Sequence, residues 1–96
     1  MFYINVWLTV NESRDVSRVR DLLAQAADGS RSEEGCERFE VYQSESDAQR
    51  FLLIERWRTK ADWEAHRSRQ AFTEIYAPRV LPLVTREAHS CSLVSE

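Results

Sequence analysis

Four segments of the chain have the apolar patterning and the β-branched or aromatic residues that predict β-strands. They comprise residues 2–10, 36–43, 50–57 and 83–94. In the first segment, apolar residues alternate strictly along one face, and the other face carries Tyr3, Asn5 and Trp7 rather than charges. The third segment also has apolar residues on both faces. These two strands are therefore predicted to be covered on both sides.

Stretches with apolar residues at helical spacing lie between these strands. The predicted helices comprise residues 15–28, 59–67 and 70–77. Gly29 is expected to end the first helix. Thr59 and Asp62 form a capping box at the start of the second helix, and Pro78 is expected to kink or end the third.

The order of the predicted elements is strand, helix, strand, strand, helix, strand. This order is typical of an α+β protein with the ferredoxin-like split βαβ fold, in which helices pack on one face of an antiparallel sheet. The helices leave the other face uncovered, although the first and third strands need cover on both faces. A second copy of the chain is the simplest supplier of that cover, so we predict a homodimer.

Length, composition and charge indicate one globular domain and exclude several classes of partner. The chain has 96 residues, is 43% hydrophobic and carries a formal net charge of −3, with no basic block. Binding to nucleic acid is therefore disfavoured. The longest apolar run, residues 51–54, is far too short to span a membrane, and the N-terminus alternates unlike a signal peptide. We expect a cytoplasmic protein without a membrane partner.

The cysteines and the sequence motifs suggest no metal or nucleotide. Cys36 and Cys91 have no CxxC partner, so we expect two buried free thiols and no metal ligand. The chain also lacks a glycine-rich phosphate loop and the HExxH, GxSxG and EF-hand patterns. No cofactor is expected.

The remaining candidates for chemistry are polar and aromatic side chains that suit a pocket. They are Asn5, Tyr42, Trp57, Trp63, His66, Tyr76 and Arg86. His66 follows Trp63 by three residues, so the two share a helix face, and Tyr76 follows ten residues later. The alternative for His66 is a hydrogen-bonded structural histidine. For Asn5, a pocket-facing amide and a satisfied core amide are equally open.

Three of the other candidates also have a structural alternative. Trp57 and Trp63 suit core packing, and Arg86 suits an ion pair with an acidic residue across the sheet. We predict His66, Asn5 and Tyr76 as catalytic residues. The predicted substrate-binding residues are Trp63, Trp57 and Arg86.

One further pattern extends from Gly35 to Phe72. It consists of a Gly-x-x-x-Phe/Tyr-x-Val strand, a polar turn, an apolar strand ending in Glu-x-Trp, and a helix carrying Ala-His before a Ser-x-x-Phe stretch. Its residues are Gly35, Phe39, Val41, Glu55, Trp57, Ala65, His66, Ser68 and Phe72. In this pattern the sequence resembles the antibiotic biosynthesis monooxygenase family. The resemblance covers residues 2–91 as one domain and leaves residues 92–96 as a C-terminal tail.

This resemblance implies a dimeric α+β barrel that oxygenates a small aromatic phenol or quinol with O₂, without metal or flavin. Oxygenation of a phenol requires its deprotonation, and histidine is the side chain that titrates near neutral pH, so His66 is the expected general base. Trp63 would supply an apolar wall, and Asn5 or Tyr76 would hydrogen-bond the developing oxyanion. Two alternatives remain open: an isomerase of a small phosphorylated metabolite, and a non-catalytic dimeric ligand-binding module.

Overall fold

The four predicted strands form one antiparallel sheet. The protein was analysed as a computed structural model, which describes residues 1–95. The strands are β1 (Phe2–Val10), β2 (Cys36–Gln43), β3 (Arg50–Trp57) and β4 (Val84–Cys91). They lie in the order β2-β3-β1-β4, and each neighbouring pair is antiparallel. With the helices between them, these strands form the predicted α+β ferredoxin-like fold.

The helices depart from the prediction at two of their ends. They are α1 (Val16–Arg31), α2 (Lys60–His66) and a π-helix (Ala71–Val80). The expectation that Gly29 ends α1 is wrong, because the helix continues for two more residues. Pro78 does not end the third helix either. In an α-helix, a proline ring clashes with the carbonyl group four residues earlier. The wider turn of a π-helix increases the distance between them. Thr59 does cap α2, since its side chain accepts a hydrogen bond from the Asp62 N–H.

The core lies between one face of the sheet and the helices. On β1 it takes every second residue, and on α1 it takes residues three or four positions apart. Its largest fully buried side chains include Leu8, Val10, Val19, Leu23, Phe51 and Trp57. Burial of each such side chain contributes roughly 1.5–3 kcal/mol, which is why these periodicities in the sequence decide the fold.

The opposite face of the sheet, which we call the outer face, is only partly covered within residues 1–95. Tyr3, Trp7, Leu52 and Ile54 are half-buried there, and Tyr42 is exposed. Each of the two outward aromatic rings of β1 lies under a guanidinium group from β3: Arg50 lies 4.7 Å from the Trp7 ring, and Arg56 lies 5.1 Å from the Tyr3 ring. The arginine stacking shields the rings in part and leaves an apolar surface between them.

The two cysteines are free, but they are not both buried as expected. Cys36 is half-buried and Cys91 is exposed. Cys91 lies opposite Tyr3 on the partly covered outer face, at the end of β4, which stops before the predicted Val94. Burial, with the nearby carboxylates of Glu33 and Glu55, raises the pKa of the Cys36 thiol to about 11. Among the described residues, no helix is long and apolar enough to cross a membrane.

Gly35 makes the turn that joins α1 to β2. Its φ angle is +82°, in the left-handed region that other residues rarely adopt. A Cβ at this position would overlap the side chain of Asp62, in the first turn of α2. The Gly35 carbonyl also accepts a hydrogen bond from the Arg58 N–H at 2.8 Å. The turn therefore brings the start of β2 against the start of α2.

We predict that Gly35→Ala lowers the free energy of unfolding by about 1–3 kcal/mol, because it adds backbone strain and displaces Asp62. Urea denaturation followed by circular dichroism measures this change. Gly29→Ala is the matched control, since Gly29 lies in α1 and its added Cβ would lie 3.3 Å from the Ala71 Cβ. We expect it to change stability by less than about 1 kcal/mol. Equal losses in the two variants would contradict the prediction.

Candidate functional site

A cavity of about 220 Å³ lies between the covered face of the sheet, α1, α2 and the π-helix. Apolar side chains form most of its wall, among them Leu23, Phe39, Leu53 and Phe72. The polar residues that line it are Ser30, Glu55, His66, Arg67, Tyr76 and Arg86. An apolar cavity with a few converging polar groups is the usual form of a small-molecule site.

His66 is the last residue of α2, and its imidazole ring is held among aromatic rings. The ring centroid lies 4.7 Å from that of Trp57 and 5.8 Å from that of Phe72. The His66 side chain is 7% exposed. Packing on two sides therefore fixes the plane of the imidazole.

Glu33 determines which nitrogen of the His66 imidazole is free to accept a proton. The Glu33 Oε1 atom lies 2.8 Å from the His66 Nδ1 atom, and the Glu33 side chain is only 9% exposed. In neutral His66, Nδ1 therefore carries the proton and donates a hydrogen bond to the Glu33 carboxylate, which leaves the lone pair on Nε2. Within residues 1–95, Nε2 has no hydrogen-bond partner. The arrangement suits a general base in the cavity.

Tyr76 and Arg86 form a second polar pair in the cavity wall. Arg86 Nε donates a hydrogen bond to the Tyr76 hydroxyl oxygen at 3.2 Å. Burial raises the pKa of Tyr76 above its usual value, so the hydroxyl keeps its proton at neutral pH. That proton has no acceptor among residues 1–95, so it is available to a bound ligand. Tyr76 is thus suited to donate a hydrogen bond to an oxyanion.

Reasoning from the sequence did not select three polar residues of the cavity, Ser30, Arg67 and Glu55, and Glu55 is the buried carboxyl group among them. It lies on the covered face of β3, opposite Ile4 and Phe39 on the neighbouring strands, and is 6% exposed. Its Oε1 atom accepts a hydrogen bond from Trp57 Nε1 at 3.0 Å. Burial raises the pKa of Glu55 to about 7, although the Trp57 hydrogen bond and the Arg86 charge oppose that rise. The sequence does contain a pattern that indicates this residue: Glu55 is an acidic residue at an inward position of a buried strand, between Leu53 and Trp57.

The structure brings together four of the six predicted site residues. His66, Tyr76, Trp63 and Arg86 all line the cavity. Trp57 does not line it, because this ring is fully buried behind His66 and Glu55.

The structure does not bring Asn5 into the cavity that holds His66 and Tyr76. Side chains alternate along β1, and Asn5 lies on the outer face between the inward-facing Ile4 and Val6. Its amide Nδ2 donates a hydrogen bond to Cys91 Sγ at 3.4 Å. In the part of the chain that the structure describes, no three His, Cys, Asp or Glu side chains are grouped to hold a metal ion.

The sequence matches the profile of a known protein family. The sequence profile described as antibiotic biosynthesis monooxygenase matches residues 1–78. The chain belongs to the antibiotic biosynthesis monooxygenase family. No protein of curated function matches it at a significant level.

Several solved structures are similar to this family member over nearly the whole chain. One, described as an antibiotic biosynthesis monooxygenase, has a TM-score of 0.90 at 18% sequence identity and covers 99% of this chain and 100% of its own. A protein from Mycobacterium tuberculosis has a TM-score of 0.86 at 21% identity, covering 100% and 98%. A protein from Pseudomonas aeruginosa has a TM-score of 0.86 at 19% identity, covering 98% and 95%. At these identities the similarity shows the fold alone.

We predict that Glu55→Gln changes how stability depends on pH. The pKa of Glu55 is about 7 in the folded state and 4.5 in the absence of the fold. The wild type therefore loses stability as the pH rises through this interval, by roughly 3 kcal/mol in total. Glutamine has no such loss and still accepts the Trp57 hydrogen bond.

Urea denaturation at pH 5 and pH 8 tests this prediction. The stability of Glu55→Gln relative to the wild type should be greater at pH 8 than at pH 5 by about 1–3 kcal/mol. Glu45→Gln, on the exposed loop between β2 and β3, is the control and should show no such difference. The same stability difference at both pH values would show that Glu55 does not titrate in this range.

Proposed function

We propose that the chain is a cofactor-independent monooxygenase that oxidises a small aromatic phenol or quinol with O₂. The observation that supports this most directly is the buried imidazole of His66 in a mainly apolar cavity. Glu33 holds its Nδ1 atom, and Nε2 has no partner within residues 1–95. Membership of the antibiotic biosynthesis monooxygenase family supports the same reaction class.

In the proposed reaction, His66 Nε2 removes the proton from the substrate hydroxyl. The Glu33 carboxylate stabilises the imidazolium that results, because it lies 2.8 Å from Nδ1. The Tyr76 hydroxyl donates a hydrogen bond to the phenolate oxygen. The guanidinium of Arg86 makes this hydroxyl a stronger donor, because it donates a hydrogen bond to the hydroxyl oxygen. The phenolate is electron-rich enough to transfer an electron to O₂. Trp63 and Phe72 contact the apolar part of the substrate.

One observation favours a second candidate, an isomerase of a small phosphorylated metabolite. Arg67 and Arg86 both line the cavity, and neither forms a salt bridge within residues 1–95. Guanidinium groups bind phosphate well. Arg67 is stacked on the rings of Trp63 and Phe72, at 5.5 and 5.8 Å, so it also serves as a wall for an aromatic ligand. Consumption of O₂ separates the two candidates, because the isomerase uses none.

We also propose that two copies of the chain associate through their outer faces to form a dimeric α+β barrel. Trp7, Leu52 and Ile54 form a half-buried apolar surface there, and a stable interface of roughly 1,200–2,000 Å² would cover it. A non-catalytic dimeric ligand-binding module would share this assembly.

We predict that His66→Ala lowers kcat by about 10²- to 10⁴-fold, because general-base catalysis contributes that factor. The measurement is O₂ consumption with anthrone or a quinol as substrate. Gln25→Ala is the control, since Gln25 is exposed on α1 and lies outside both the cavity lining and the outer face, and it should retain wild-type turnover.

The same assay separates the outcomes. Tyr76→Phe should lower kcat by about 10²- to 10³-fold, as the loss of an oxyanion donor does. Wild-type turnover in His66→Ala would make His66 a structural residue. If the wild-type protein consumes no O₂ with either substrate, the isomerase or the binding module is favoured.

We predict that the protein is a homodimer at micromolar concentration and that Ile54→Glu makes it monomeric. Ile54 is central in the outer face, opposite Asn5 on β1 and Glu40 on β2, so a buried carboxylate there would be unpaired. Sedimentation equilibrium measures the mass of both proteins. Gln25→Glu, exposed on α1, is the control and should remain dimeric. A monomeric wild type would contradict the barrel.

A further inference from the structure

Glu55 is the one buried ionisable group of the cavity that the proposed reaction does not use. Burial of a carboxyl group is costly unless it is paired or has another role. Only Oε1 of Glu55 is bonded, to Trp57, and within the described residues no cation lies within salt-bridge distance of either oxygen. Oε2 has no hydrogen-bond partner there, and the side chain lines the cavity. An inward-facing carboxyl held at one oxygen and free at the other is arranged for proton transfer.

We infer that Glu55 is a second catalytic residue, which gives a proton to the peroxide formed from substrate and O₂ and then removes the ring hydrogen. The inference rests on the proposed function. It assigns to a residue of β3 the proton transfers that follow the first step. It also gives each of the two acid–base residues of the cavity, His66 on α2 and Glu55 on β3, a separate proton transfer.

The proton and electron transfers balance when both residues act. His66 takes the phenol proton, and electron transfer to O₂ leads to a carbon–oxygen bond at a ring carbon that bears one hydrogen. Glu55 then protonates the outer oxygen of this peroxide anion. Its carboxylate takes the ring hydrogen as a proton while the O–O bond breaks, so the ring carbon becomes a quinone carbonyl and hydroxide leaves. Hydroxide takes the proton from His66 and becomes water. The substrate loses two hydrogens and gains one oxygen, O₂ accepts four electrons, and both residues return to their first state.

The other ionisable groups around Glu55 are less suited to this role. Arg86 on β4 is a permanent cation, and Tyr76 on the π-helix holds its proton because burial raises its pKa. Glu33, in the turn before β2, is bonded to His66. Glu55 has a pKa of about 7, so near neutral pH its acid and base forms are both populated.

Glu55→Gln tests the inference, because glutamine keeps the acceptor for Trp57 and removes the transferable proton. With anthrone or a quinol as substrate, kcat should fall by about 10²- to 10⁴-fold. The Kd of 1,4-naphthoquinone, measured by tryptophan fluorescence as a probe of the cavity, should stay within about twofold of the wild type, since the cavity keeps its shape. Glu45→Gln is the control for loss of a carboxyl group elsewhere and should match the wild type in both measurements.

The outcomes separate this inference from the proposed function. An active wild type with an equally active Glu55→Gln variant overturns the role of Glu55 and leaves the monooxygenase intact. A variant that loses quinone binding in proportion to turnover also overturns it, because Glu55 would then bind the ligand rather than transfer protons. A wild type that oxidises neither substrate overturns the proposed function and this inference together.

Discussion

The alternation of side chains across the sheet is the constraint on which the rest of the molecule depends. Along β1 and β3, one set of residues faces the helices and the next set faces outward. The inward set builds the core and, through Glu55, one wall of the cavity. The outward set, which includes Trp7 and Ile54, forms the outer face. A shift of one residue in either strand would exchange these two sets, so the cavity and the proposed dimer surface depend on the same register.

The packing that stabilises the fold also orients the proposed catalytic groups. Trp57 fills the core, stacks against His66 and donates a hydrogen bond to Glu55. Gly35 follows Glu33 by two residues, so the short segment that enters β2 also brings the Glu33 carboxylate to His66. General acid–base chemistry requires side chains that are held rigidly in this way, because proton transfer needs donor and acceptor within hydrogen-bond distance.

Much of the fold was predictable, because it follows from local patterns. The strand positions and the Thr59 cap come from periodicity and capping, which depend on neighbours in sequence. The sequence analysis grouped Asn5 with His66 and Tyr76, although the alternation that puts Asn5 on the outer face is visible in the sequence. A polar side chain between Tyr3 and Trp7 suggested a ligand-binding residue. A protein–protein interface contains the same mixture of polar and aromatic residues.

Glu33 and Pro78 show what sequence patterns do not contain. Glu33 lies among several acidic residues that look equally solvated, and only the folded turn distinguishes the one that contacts His66. The prediction for Pro78 used the rule for α-helices, but Pro78 lies within a π-helix that packs against α1 and continues to Val80. In both cases contacts between distant segments decide the outcome, and one sequence does not reveal them.

The π-helix has a consequence for how this cavity can vary. Its wide turns accommodate more residues per length of axis than an α-helix does, and it leads through a short turn, Leu81–Leu83, into β4. A deletion of one residue in this connection would change the phase with which the chain enters β4 and exchange the two faces of that strand. Arg86 would then leave the cavity, while Tyr76, which precedes the deletion, would stay. The length of this one connection therefore determines whether the cavity contains the Arg86 charge, and a change in length would leave the lining residues that precede the connection in place.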